Sequence, residues 1–178
     1  MITVCLHGAE STGKSVLASR LGYPWVPEYG RTYCEANGTD LTMADLLVIA
    51  DGQAEENRKA MAAMPPLLLL DTDQLMTAAW ARMLFGEVPE RLMRYPKADL
   101  YLHFSADVPW RDDGTRFFGT DDARARFAAI AGDMLVSAGV RSVVITGDWA
   151  QREQLARAAI AQLLCEAPDP LTDRGLQR

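Results

Sequence analysis

The residues best suited to chemistry lie in one short segment, HGAESTGKSVL, at residues 7–17. Gly8, Gly13, Lys14 and Ser15 fit the spacing G-x-x-x-x-G-K-[ST]. In such a loop the backbone N–H groups converge on an anion, and glycines allow the anion to approach closely. The lysine reaches the β- and γ-phosphates of a nucleotide, and the hydroxyl after it can bind Mg²⁺. The segment therefore predicts a site for ATP phosphates and magnesium.

The predicted nucleotide-binding residues are those of this loop and one arginine farther along the chain, namely Gly8, Ala9, Glu10, Ser11, Thr12, Gly13, Lys14, Ser15, Val16 and Arg111. The metal is assigned to Ser15 and to Asp71, which ends the apolar run PPLLLLDTD. An acid at the tip of such a strand faces the loop serine and orders water on the metal. The alternative for Asp71 is a helix N-cap, a role that Thr72 or Asp73 could also fill.

Two more carboxylates are candidates for the acceptor side of the site. Glu28 lies in VPEYGR, just after a predicted strand, and Asp73 lies two residues beyond Asp71. Either could take a proton from an attacking hydroxyl or hold the hydroxyls of a ribose. Arg31 either binds a phosphate or pairs with Glu28. We assign Glu28, Arg31, Asp73 and Trp80 to substrate binding, although sequence alone does not decide which aromatic residue stacks on a flat base.

A polar, glycine-containing stretch, SADVPWRDDGTRFFGTDD, is predicted to form a lid at about residues 105–120. Arg111 and Arg116 lie in it, and a lid arginine can offset charge that develops on a transferring phosphate. Gly114 and Gly119 would let the segment hinge. The alternative is an exposed polar loop without a catalytic role. We assign Arg116 to the catalytic residues, together with Lys14, Glu28 and Asp73.

The elements that must position these residues alternate along the chain. Short apolar runs predict five strands, ITVCLH, YPWVPE, PPLLLLDTD, DLYLHF and RSVVITG. Helical stripes of apolar residues lie between them, and Thr42 with Asp45 has the spacing of a capping box. The continuous leucines of the third run favour a strand covered on both faces. The pattern predicts an α/β fold of the P-loop NTPase type, with a five-stranded parallel sheet flanked by helices.

Length and composition limit the possible functions. A chain of 178 residues predicts one domain, over residues 1–166, followed by a flexible tail at 167–178. The net charge of -6 disfavours nucleic acid as a partner. The three cysteines form no disulfide or zinc pattern. No signal peptide or membrane-spanning run is evident, so we expect a cytoplasmic protein without a membrane partner.

Four motifs in order, GAESTGKS, VPEYGR, LLDTD and DVPWRDDGTR, resemble the bacterial nicotinamide riboside kinases. That family is best known as the kinase domain of bifunctional NAD-salvage proteins. The resemblance runs from roughly Thr3 to Leu164. It implies a P-loop kinase fold and ATP-dependent phosphorylation of the riboside 5′-hydroxyl, giving nicotinamide mononucleotide. It also implies that the loop holds ATP phosphates, that Asp71 lies near Mg²⁺, that Asp73 and the Glu28–Arg31 segment face the riboside, and that Arg116 belongs to the lid.

Other functions stay open from the sequence alone. The acceptor could be another nucleoside or small metabolite, or the chain could be a nucleotide-binding regulatory module without an acceptor. No adenylyltransferase or DNA-binding region precedes the loop in this sequence, so the resemblance predicts a stand-alone kinase. Its expected partner is a small-molecule substrate, and the oligomeric state is not predicted.

Overall fold

The computed structural model describes residues 1–109 and 120–166. Most of the predicted lid, with Arg111 and Arg116, and the whole predicted tail lie outside the described residues. The described part carries the sheet, the helices around it and the loops at the ends of the strands.

Five strands form one sheet in the order β2-β3-β1-β4-β5, and every pair is parallel. Their bounds are β1 Ile2–Gly8, β2 Trp25–Val26, β3 Leu67–Asp71, β4 Leu100–Phe104 and β5 Ser142–Ile145. The predicted fold class is confirmed. The short, proline-flanked β2 lies at the sheet edge, where missing backbone donors are tolerated.

Seven helices lie in the described part of the chain: α1 Lys14–Arg20, α2 Tyr29–Asn37, α3 Met43–Met61, α4 Gln74–Phe85, α5 Glu90–Arg94, α6 Asp121–Ala138 and α7 Trp149–Glu166. The capping box of Thr42 and Asp45 begins α3 as predicted. Asp148 and Gln151 exchange the corresponding pair of bonds before α7. Helices α2 and α5 were not predicted, because both are short and neither carries a continuous apolar stripe.

The leucines of β3 explain why the sheet has two apolar faces. Leu67 and Leu69 pack with α1 and α7 on one face. Leu68 and Leu70 point the other way, as alternate strand residues must, and pack with Leu75 of α4 and Leu135 of α6. Each fully buried leucine contributes about 1.5–3 kcal/mol, which holds this strand at the centre of the fold.

Parallel strands bring their carboxyl ends to one edge of the sheet. Leu6 of β1 lies opposite Asp71 of β3, and Gly8 lies opposite Phe104 of β4. Glu28 follows β2 at the same edge. This edge is where ligands bind in open α/β sheets, and it gathers the predicted site residues.

Candidate functional site

The phosphate loop, residues 8–15, connects β1 to α1 as predicted. Its backbone is left-handed at two glycines, with φ of 133° at Gly8 and 84° at Gly13. A Cβ on Gly8 would lie 2.5 Å from the Phe104 carbonyl oxygen, and one on Gly13 would lie 2.4 Å from the ring of Trp149. Both positions therefore require glycine, because the loop is pressed between the end of β4 and the start of α7.

Lys14 folds back across the phosphate loop. Its Nζ donates to the carbonyl oxygens of Gly8 and Ala9, at 2.8 Å each. The hydroxyl of Thr12 donates to the Ala9 carbonyl at 2.8 Å and closes the loop from the buried side. These bonds hold a cation over the cradle of N–H groups, where a phosphate would meet both.

One cavity of about 440 Å³ begins at this loop. All the predicted loop residues except Ala9 line it, and so do Glu28, Arg31 and Trp80. Ala9 is fully buried beneath the loop and acts through its carbonyl group. The cavity therefore brings the phosphate loop together with three of the four residues predicted to bind the substrate, Glu28, Arg31 and Trp80.

Asp71 lies behind Ser15 at the base of the loop. Its carboxyl group is buried, and Oδ1 has no hydrogen-bond partner among the described residues. Burial raises the pKa of Asp71, while the Lys14 charge and a hydrogen bond from Ser15 act in the opposite direction. A serine hydroxyl beside a carboxylate with a spare oxygen is the donor chemistry that Mg²⁺ prefers. The residues present therefore fit the predicted metal.

Glu28 is the N-cap residue of α2, yet its side chain makes no capping bond among the described residues. The carboxyl group turns instead towards the cavity that it lines. Loss of hydration there, with a smaller contribution from the Asp71 charge, raises the pKa of Glu28 to about 7, although Lys14 and Arg31 act in the opposite direction. A carboxyl group with a pKa near neutral pH is suited to accepting a proton during a reaction.

The far side of the cavity is apolar. We call it the acceptor wall, and it consists of Leu41, Leu46, Ile49, Met76, Trp80 and Phe127. The rings of Trp80 and Phe127 lie 4.5 Å apart at a tilt of 41°. Trp80 was predicted to bind the substrate, whereas Phe127 was not predicted as a site residue. The wall can hold a flat ring near the phosphate loop.

Asp73 does not lie where the sequence predicted. Its Oδ1 accepts the Leu75 N–H at 2.9 Å and caps α4, and its Oδ2 accepts the Tyr101 hydroxyl at 2.5 Å. The side chain is buried and is not among the described residues that line the cavity. The expected contact between Asp73 and an acceptor is therefore not supported, and Asp73 fills the capping role that had been considered for Asp71.

Thr72, between the two acids, was not predicted as a site residue. It has a φ of 74°, which is rare for a residue with a branched side chain, and it lines the cavity. Its N–H donates to the Leu6 carbonyl at 3.1 Å. The strained backbone turns the chain sharply, so that Asp71 stays at the strand tip while Asp73 begins α4.

A buried arginine supports the loop from outside the cavity and was also missed. The guanidinium of Arg152 donates to the carbonyl oxygens of Gly147 at 2.8 Å, Ser105 at 3.1 Å and Thr12 at 3.4 Å, and it pairs with Asp107. Burial opposes its charge and lowers the pKa of Arg152, whereas Asp107 favours the charge. One side chain thus ties the phosphate loop to the ends of β4 and β5.

The roles predicted for Arg111 and Arg116 lie outside the described residues. The chain leading into that segment is anchored, because Arg124 of α6 donates to the Val108 carbonyl at 2.6 Å. The two histidines, His7 and His103, lie in strands β1 and β4, and burial lowers the pKa of His7 to about 3. In the described residues no helix combines the length and apolar character needed to cross a bilayer.

Comparison with known proteins adds sequence and structural relatives. Residues 3–152 match the model of a family described as AAA domain. The chain is 32% identical over 146 residues to the "Trifunctional NAD biosynthesis/regulator protein NadR" of Escherichia coli (strain K12), a match that covers 75% of this chain and 35% of that protein. The chain therefore spans about a third of the length of this curated relative. The match confirms the relationship inferred from the four motifs.

Solved structures share the fold. A crystal structure of NadR protein in complex with NR has a TM-score of 0.74 at 23% identity, over 96% of this chain and 53% of that chain. A deoxyadenosine kinase from M. mycoides has a TM-score of 0.65 at 11% identity, over 90% of this chain and 100% of that chain. With its glycine loop, parallel sheet and NadR-like sequence, the chain belongs to the AAA domain family.

Proposed function

We propose that this chain transfers the γ-phosphoryl group of ATP to the 5′-hydroxyl of nicotinamide riboside, giving ADP and nicotinamide mononucleotide. The observation that carries the proposal is the cavity itself. It joins the phosphate loop, the Glu28 carboxyl group with a pKa near 7 and the acceptor wall in one space. The NadR relative takes part in NAD biosynthesis, and a NadR structure holds NR, which supports this choice of acceptor.

The phosphate loop and Lys14 would hold the β- and γ-phosphates. The lysine now binds two loop carbonyls, so a short movement of its Nζ brings its charge to the phosphate oxygens. Phosphoryl transfer depends mainly on positioning and on neutralising charge that develops in the transition state. Ser15 and Asp71 would hold Mg²⁺, which when bound neutralises phosphate charge and aligns the phosphate oxygens.

Glu28 would accept the proton of the acceptor. As the 5′-oxygen forms its bond to the γ-phosphorus, the bond from that phosphorus to the β,γ-bridging oxygen breaks and ADP leaves. The hydroxyl proton passes to the Glu28 carboxylate. Glu28 lines the same cavity as Lys14, so the proton acceptor and the phosphate-binding cation face one reaction space.

The acceptor wall favours a flat, positively charged base. The nicotinamide ring of the riboside is a pyridinium cation, and a tryptophan face attracts cations. Trp80 supplies such a face, and the Phe127 ring packs against it, with the ring centroids 4.5 Å apart.

The test is ADP formation with ATP alone and with a panel of nucleosides, with the product identified by mass spectrometry. We expect nicotinamide riboside to give the highest kcat/KM and to form the mononucleotide. The reduced riboside has nearly the same shape but a neutral ring, and we expect it to show a higher KM. A Trp80→Leu variant should remove most of that difference.

Two outcomes would replace the proposal. Preference for another nucleoside would identify a kinase with a different acceptor, as the fold shared with a deoxyadenosine kinase allows. ATP turnover that ignores every acceptor would favour a regulatory nucleotide-binding module. The use of Mg·ATP and the cytoplasmic location belong to the same proposal, and metal titration and cell fractionation would test them.

A further inference from the structure

Gln53 is a polar residue on the buried face of α3, and it lines the cavity one helical turn beyond Ile49 of the acceptor wall. Its side chain is buried, with 2% of its surface exposed. A buried amide has to use its hydrogen-bonding groups, because an unpaired one costs about 1–3 kcal/mol. The partners of Gln53 therefore show what its amide does in the fold.

The amide of Gln53 grips the backbone on both sides of Glu28. Its Oε1 accepts the Tyr29 N–H at 2.8 Å, and its Nε2 donates to the Pro27 carbonyl at 3.3 Å. The backbone N–H can only donate and the carbonyl can only accept, so the orientation of the amide is fixed. The second Nε2 hydrogen goes to Oδ1 of Asn57, one helical turn along, at 3.0 Å.

Packing holds the same turn against α3. A Cβ on Gly52 would lie 2.2 Å from the ring of Tyr29, so this ring lies directly on the glycine. A Cβ on Gly30 would lie 3.4 Å from the Ile49 side chain. The turn Pro27–Tyr29 therefore has little room to shift along the helix, and its polar backbone groups are paired by Gln53.

We propose that Gln53 is a positioning residue, which fixes the turn Pro27–Tyr29 so that the Glu28 carboxylate keeps its place in the reaction space. The inference rests on the proposed function, in which Glu28 accepts a proton. Glu28 makes no capping bond of its own among the described residues, so the position of its backbone depends on contacts from α3. The Gln53 amide bonds to the turn and to Asn57, and it is not proposed to bind either substrate.

A double-mutant cycle tests the proposal on the full chain. Gln53→Met keeps the length of the side chain and removes both bonds to the turn. We expect kcat to fall by about 10- to 100-fold, because small misplacements of reacting groups cost rates of this order. The KM for ATP and for the riboside should stay within about twofold, because only the position of the proton acceptor changes.

In a Glu28→Gln background the same substitution should change kcat by less than about twofold, because the group that it positions is already absent. Gln74→Met is the matched control. Gln74 is also buried, and its Nε2 donates to an α3 carbonyl, that of Ala50, at 3.1 Å, but it does not contact the Glu28 turn. We expect Gln74→Met to lower the melting temperature with little change in kcat.

Three results would overturn the inference. Equal losses from Gln53→Met in both backgrounds would show a general structural role. A rise in the riboside KM at constant kcat would make Gln53 a substrate ligand. A loss of kcat in Gln74→Met as large as in Gln53→Met would assign the effect to buried amides in general. A wild-type protein that phosphorylates no nucleoside would overturn the proposed function as well, whereas an active wild type with an additive cycle would overturn this inference alone.

Discussion

The phosphate side and the acceptor side of the cavity are built in different ways. The phosphate side consists of consecutive residues, and the groups proposed to bind phosphate there are mainly backbone N–H groups and the Lys14 side chain. The acceptor side combines Glu28 at the N-cap of α2, Trp80 of α4 and Phe127 of α6, which only the tertiary fold brings together. A substitution on the phosphate side should therefore act on one local motif, whereas effects on the acceptor side depend on packing between helices.

The largest effect is expected on the phosphate side. Lys14→Ala removes the charge that would meet the transferring phosphoryl group, and comparable losses of a transition-state contact cost about 100- to 1000-fold in kcat. Steady-state kinetics with a circular dichroism check of folding measures this. Lys59→Ala is the control, because Lys59 pairs with Glu56 on the exposed surface of α3. Near-normal turnover by folded Lys14→Ala protein would contradict the proposal that this loop binds the phosphates of ATP.

The next effect belongs to the acceptor side and depends on pH. Glu28 must be ionised to accept a proton, and its pKa is raised to about 7 by burial and by Asp71. We expect kcat/KM of the wild type to fall about tenfold for each pH unit below this value. Glu28→Gln should lower kcat by about 100-fold and should remove the fall in kcat/KM at low pH. A pH–rate profile measures both changes, with the exposed Glu55→Gln as control.

The same shift has a consequence for stability. The folded pKa of Glu28 lies above its ordinary value, so folding favours the protonated form. The contribution is present at low pH and is lost as the pH rises through about 7. Glu28→Gln should therefore gain stability relative to the wild type at alkaline pH, as measured by chemical denaturation. An equal difference in stability at pH 5 and pH 9 would argue against the raised pKa.

A smaller effect on the phosphate side concerns magnesium. Asp71→Asn keeps the size of the side chain and removes its charge, and changes to such supporting ligands typically weaken metal affinity about 10- to 100-fold. We expect the Mg²⁺ concentration for half-maximal rate to rise accordingly, while the riboside KM changes little. Asp51→Asn serves as control, because Asp51 lies on the surface with Arg91 and Tyr95. An unchanged metal dependence would remove Asp71 from the metal site.

The smallest effect on activity is expected at Asp73, although the sequence placed it at the acceptor. Asp73→Asn should leave the riboside KM within about twofold, because its carboxylate is turned away to Leu75 and Tyr101. Asp73→Ala should lower the free energy of unfolding by about 0.5–2 kcal/mol through loss of the helix cap. Kinetics and denaturation of both variants test this, and a large rise in KM for Asp73→Asn would restore the role predicted from the sequence.

What the sequence could predict follows the same division. The phosphate loop and the parallel sheet were predictable, because glycine spacing and the leucines of β3 act through local backbone and burial patterns. The hydrogen bond from Tyr101 to Asp73 was not predictable, because Tyr101 lies on another strand and no local pattern links the two residues. Gln53 and Asn57 left a faint signal, since two amides four residues apart interrupt the otherwise apolar buried face of α3. Phe127 and Arg152 left no signal in the sequence, because their contacts come from elements that are distant along the chain.

The packing of Trp149 on Gly13 has a consequence for how the protein is made. The phosphate loop is synthesised before α7, yet the ring that covers it and the arginine that donates to Thr12 both belong to α7. We expect the nascent chain to gain nucleotide affinity only when α7 has emerged and docked. Nucleotide would then stabilise the completed fold and not its precursors. Refolding followed by Trp149 fluorescence, with and without ATP, would measure when α7 docks relative to ATP binding. Stabilisation of the folding chain by ATP before α7 has docked would contradict the prediction.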